Sequence, residues 1–155
     1  MTVNLALLNQ NLKLEISLME QFLELLINEQ SVLLSNDIDG LESMLQVKSE
    51  LLNQLSIVSN NRLSALGEMS FPPQNSSMTL LIEQSSNPSI EQSWQQLINI
   101  GTQAEEINRN NSLIVNRLFA QNQNSLVFLQ GKDANLIYGP DGHNTTHLTL
   151  RTIKG

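Results

Sequence analysis

Two histidines four residues apart are the first place to look for chemistry. They stand in the run Asp141-Gly142-His143-Asn144-Thr145-Thr146-His147, which gathers metal-ligand types. A helix would place both imidazoles on one face, within reach of one ion. The Gly, Asn and Thr residues around them disfavour a helix, and a metal requires a defined ligand geometry. The segment therefore reads as a polar turn, with no metal site expected. The acids of the N-terminal half, among them Glu15, Glu20, Glu24 and Glu29, could in principle pair for acid–base work. Their spacing reads instead as the wetter face of a helix, the commoner use of such a series. Cys is absent, which removes thiolate metal sites, disulfides and cysteine nucleophiles together. There is no glycine-rich phosphate loop and no G-x-S-x-G. Neither an enzyme nor a cofactor is expected.

The elements that must position any site follow from composition. Of 155 residues 28 are Leu, aromatics are 4%, and there are only 7 Gly and 4 Pro. Such a chain packs helix on helix. The formal charge of −7 opposes binding to nucleic acid, whose phosphates need a basic surface. No run approaches the ~18 apolar residues of a membrane span. The start, Met1-Thr2-Val3-Asn4-Leu5, has no basic region or apolar core of a signal peptide. The expected compartment is the cytoplasm, where the N-x-S/T matches at Asn75, Asn110 and Asn144 carry no weight.

Residues 4–34 carry Leu5, Leu8, Leu12, Ile16, Met19, Leu23, Leu26 and Leu33 at steps of three and four, a helical stripe. Leu7, Leu14, Leu18, Phe22, Leu25 and Leu34 widen it, as for a helix that meets two neighbours. Asp37 and Asp39 are N-cap candidates for a second helix over 38–66. Its stripe is Ile38, Leu41, Leu45, Leu52, Leu55 and Leu66, with Gly67 as its stop. The short connection makes the two antiparallel. Phe71-Pro72-Pro73 breaks the helical pattern, and residues 78–86 predict a short helix. Ser89 with Gln92 fits a capping box opening a third long helix over 89–130.

That third seam runs Leu97, Ile100, Ala104, Ile107, Asn111, Ile114 and Leu118, then turns more polar. An amide at a seam position such as Asn111 can set register at some cost in stability. Trp94 reads as core packing under the linker. At ~1.5 Å per residue this helix would run to roughly 63 Å, beyond either partner. Its last turns are thus expected to lack an intramolecular partner. Residues 131–155 differ: 134–138 and 147–153 look strand-like around the Gly139-Pro140-Asp141-Gly142 turn. The predicted fold is all-α: an up-down-up antiparallel bundle of three long helices with a short linker helix. Residues 1–130 make the bundle and 131–155 a flexible or hairpin-like tail.

Three stretches resemble a known family. Residues 106–114, Glu-Ile-Asn-Arg-Asn-Asn-Ser-Leu-Ile, are similar to an Asn-x-x-Asn-Gly-x-Leu-Ile stretch, with Ser112 in place of Gly. Residues 121–129 continue it, and Leu136-Ile137-Tyr138-Gly139-Pro140-Asp141-Gly142-His143 resembles a Tyr-Gly-x-Asp-Gly tail. The chain resembles the FlgN family of flagellar type III export chaperones over its whole length. The resemblance implies binding of hook-associated (hook–filament junction) proteins and delivery to the cytoplasmic domain of the export-gate component FlhA, with subunit binding in the C-terminal part. Leu118, Phe119, Leu126, Phe128 and Leu129 are then the expected client contacts. Tyr138, on a turn-forming motif, is the expected gate contact. A helical structural subunit, or a coiled-coil scaffold of the same assembly, is the alternative.

Overall fold

A computed structural model describes residues 2–121. The order is α1 (Thr2–Leu34), α2 (Ile38–Glu68), α3 (Ser77–Ser85) and α4 (Pro88–Gln121). The expected all-α bundle is observed, with the short helix in the linker. The expectations for residues 122–130 and for the 131–155 tail lie outside the described residues.

Cap chemistry sets the helix ends. Asn36 closes α1 in the left-handed region at φ 58°, where the Asp37 N–H donates to Val32 O at 3.2 Å, a Schellman closure. Asp37 then caps α2, its Oδ1 accepting from Gly40 N at 3.0 Å, while Asp39 stands in the first turn and favours the positive end of the helix dipole. Gly67 is not the stop expected of it: α2 continues to Glu68. The chain turns at Ser70 (φ 67°) instead, and Phe71 N donates to Leu66 O at 2.9 Å. The start of α4 also differs from expectation. Asn87 is the cap, its Oδ1 accepting from Ser89 N at 3.0 Å and Ile90 N at 3.2 Å. Pro88 fills the first helical position, where its missing N–H costs nothing.

Side-chain pairs give the directions. Glu15 meets Arg62 and Glu29 meets Lys48, so α1 and α2 run antiparallel. Asn9 bonds Ser89 and Ser93, and Asn111 bonds the Leu26 carbonyl, so α4 runs parallel to α1. Helix α1 contacts both long partners and α3 packs on α4, the up-down-up order expected.

The core is in two parts. The main cluster joins Leu8, Leu12, Met19, Phe22 and Leu26 of α1 to Leu52, Leu55 and Leu66 of α2, and to Ile90, Leu97 and Ala104 of α4. A smaller cluster at the other end gathers Leu33, Leu41, Leu45 and Val115. Trp94 packs partly buried against the main cluster, as its sequence position suggested.

The α1 acids correct one expectation. Glu20 and Glu24 are exposed, but Glu15 and Glu29 are fully buried rather than on the wet face. A buried carboxylate persists only when paired and hydrogen-bonded, and α2 supplies a cation for each.

Candidate functional site

Between the two clusters lies a polar layer. Lys48 Nζ donates to both oxygens of Glu29 and to Asn108 Oδ1, each at 3.1 Å. Asn111 Nδ2 donates to Glu29 Oε1 at 2.8 Å and to the Leu26 carbonyl at 3.0 Å. One layer therefore binds all three long helices. Asn108 and Asn111 are three residues apart, hence on one helix face. They belong to the Asn-rich stretch that carries the family resemblance, and their job in the structure is internal. Burial pushes the Lys48 ammonium below its ordinary pKa, against the pull of Glu29.

A second polar group sits toward the linker. Arg62 Nε donates to Glu15 at 2.9 Å, Nη1 to Asn75 Oδ1 at 2.7 Å, and Nη2 to Ser59 Oγ at 3.3 Å. Its guanidinium lies 4.8 Å from the Trp94 ring centre, within cation–π range. Burial raises the Glu15 carboxyl above its usual range, opposed by the charge and hydrogen bond of Arg62. In both groups the charges are spent on one another. Both basic residues fill gaps in the α2 stripe, which steps from Leu45 to Leu52 and from Leu55 to Leu66. That spacing was the available signal, hidden because a basic residue in an apolar stripe looks like an interruption.

Beyond the Asn111 layer α4 ends against the smaller cluster. Ile114 and Leu118 pack on it half-buried, along with Val32 and Ile38. Leu34, at 70% exposure, and Leu113, at 58%, stand uncovered near the same end. Asn111 lies beside Leu26 and Glu29. Seven residues on, Leu118 is thus level with the 35–37 turn between α1 and α2. Of the expected client contacts, Leu118 sits at this rim. Phe119 lies on α4 with its side chain outside the described portion, and Leu126, Phe128, Leu129 and the gate residue Tyr138 also fall outside the described residues. Among the described residues no group of three His, Asp or Glu is placed to hold a metal. None of the described helices is long and apolar enough to cross a membrane.

A family model described as FlgN protein matches residues 1–146, from the first helix well past the described end of α4. The chain belongs to the FlgN family. Two proteins of Yersinia enterocolitica named flagella synthesis protein FlgN, one of them from serotype O:8 / biotype 1B, are similar to it. Each is 25% identical over 138 residues, which cover 88% of this chain and 88% of the relative. No solved structure matches the chain. FlgN proteins are flagellar chaperones, and a helical bundle whose buried charges are mutually neutralised suits a protein that works through its surface.

Proposed function

We propose that the chain is a cytoplasmic export chaperone that binds hook–filament junction proteins, keeps them from assembling early and helps pass them to the cytoplasmic domain of FlhA. FlgN membership across residues 1–146 carries this reading. The level of Leu118 with the α1–α2 turn supports the place of binding. The half-buried Leu118, with the exposed Leu34 and Leu113 near it, gives that end of the bundle an apolar rim. Leu118, Phe119, Leu126, Phe128 and Leu129 are the proposed client contacts, laid against an amphipathic segment of the subunit. Tyr138 is the proposed gate contact.

The test is a chain ended after Gln121. It retains all four helices and both core clusters. Circular dichroism should report a helical protein with nearly unchanged melting. Calorimetry should show loss of junction-protein binding. Unchanged affinity would place the client site on the bundle itself.

A further inference from the structure

The layer of Glu29, Lys48, Asn108 and Asn111 divides the core into unequal halves. Among the described residues the main cluster holds eighteen buried apolar side chains, with Met78 and Leu81 of α3 among them. The smaller cluster holds four: Leu33, Leu41, Leu45 and Val115. These come from the last turn of α1, the first turns of α2 and the last described turns of α4. The cost of opening a region follows the apolar surface it exposes, so the smaller end is far cheaper to open than the main core. The layer lowers that cost further. Glu29 and Lys48 are both buried, and a buried ion pair recovers by mutual attraction only part of the hydration it gives up. The depressed pKa of Lys48 is a sign of that loss. Asn111 Oδ1 is buried with no hydrogen-bond partner among the described residues. Water arriving through an opened smaller cluster would hydrate the pair and bring this oxygen a donor. The layer thus gains part of what the cluster loses.

From the split core, the small cluster and its buried polar boundary, we propose that this end of the bundle opens as one unit while the main cluster stays packed. The unit is α1 after Glu29, α2 before Lys48 and α4 after Asn111. Open, it presents Leu33, Leu41, Leu45 and Val115 beside Leu118, an apolar surface larger than the closed rim. The opening is a property of the bundle and does not depend on which partner meets that surface.

Native-state amide exchange of the full chain, read by NMR at several urea concentrations, tests it. The amides of Leu33, Leu41, Leu45 and Val115 should share one shallow urea slope, with about a hundredfold less protection than those of Leu12, Leu55 and Leu97. The chain has no Cys, so Val115→Cys and Ala104→Cys each place a single thiol in one of the two clusters. The thiol at 115 should be labelled about a hundredfold faster than the one at 104. Replacing the layer by Glu29→Leu, Lys48→Met and Asn111→Leu together should join the clusters, since apolar residues of similar volume often substitute for a buried ion pair without loss. In that variant protection at the smaller end should come within about tenfold of the main core. Equal protection of the two clusters, or equal labelling of the two thiols, would overturn the proposal. So would protection that declines residue by residue along each helix, which is fraying of separate ends. A folded triple variant whose smaller end still exchanges as in the parent would also overturn it. The parent's exchange and the two thiols decide the matter even where the triple variant does not fold.

Discussion

Arg62 Nε reaches the Glu15 carboxylate at 2.9 Å, and neither side chain is exposed to solvent. The pair joins α1 to α2 in one register. A shift of either helix by a residue would strand two charges in the main core. Removing one member of such a pair typically costs about 3–5 kcal/mol, because the survivor stays buried and uncompensated. Arg62→Ala should therefore lower the unfolding free energy by about that amount in urea, followed by Trp94 fluorescence. The double change Glu15→Leu with Arg62→Met should recover most of the loss. A double variant as unstable as the single one would show that the pair contributes more than charge neutralisation.

The same carboxyl should set a pH dependence. Burial holds Glu15 above its ordinary 4.5, so the folded state binds this proton more tightly than the unfolded chain does. Its contribution to stability is therefore full below the unfolded value and is lost as pH rises through the higher folded value. Lys48 has the opposite shift, below its ordinary 10.5, so its contribution is full above that value and lost as pH falls through the lower folded one. The difference in unfolding free energy between the parent and Glu15→Gln should move in favour of the parent as pH is lowered from about 7. A flat difference would mean that Arg62 offsets burial completely.

Two glycines of α2 should respond in opposite directions. A Cβ on Gly40 would fall 2.6 Å from Asp37 Oδ2 and 3.1 Å from Val32 Cγ1. Gly40→Ala should displace the Asp37 cap and cost about 1 kcal/mol. A Cβ on Gly67 meets nothing within 4 Å, and Gly67→Ala should stabilise the helix by about 0.5–1 kcal/mol. Thermal melts of the two variants, one below and one above the parent, check this pair.

Tyr138→Ala should leave the thermal melt and junction-protein binding nearly unchanged, yet weaken capture of the FlhA cytoplasmic domain by about 2 kcal/mol, the cost of truncating a hot-spot tyrosine. A variant that melts early, or that loses the client while keeping the gate, would assign Tyr138 to the fold or to the client surface.

Helix number and order among the described residues were legible in the sequence because the three- and four-residue spacing of Leu and Ile is a local property. Ser35-Asn36-Asp37 and Phe71-Pro72-Pro73 mark breaks by their own backbone preferences. The resemblance to FlgN was legible in the Asn-rich stretch and the Tyr138 motif, and the family match bears it out. Cap identity was less so. Gly67 looked like a stop, but Ser70 turns the chain, and Asn87 takes the place expected of Ser89, because several neighbouring residues can close a helix and packing selects among them. The fate of the charges was decided only in three dimensions. Glu15 and Glu29 flank Glu20 and Glu24 along α1 in one acidic series, yet the outer two are buried and the inner two exposed. What separates them is a cation on another helix, Arg62 47 residues away and Lys48 19 residues away. Charge pairing across such distances depends on helix register and rotation, which periodicity within a single helix does not encode.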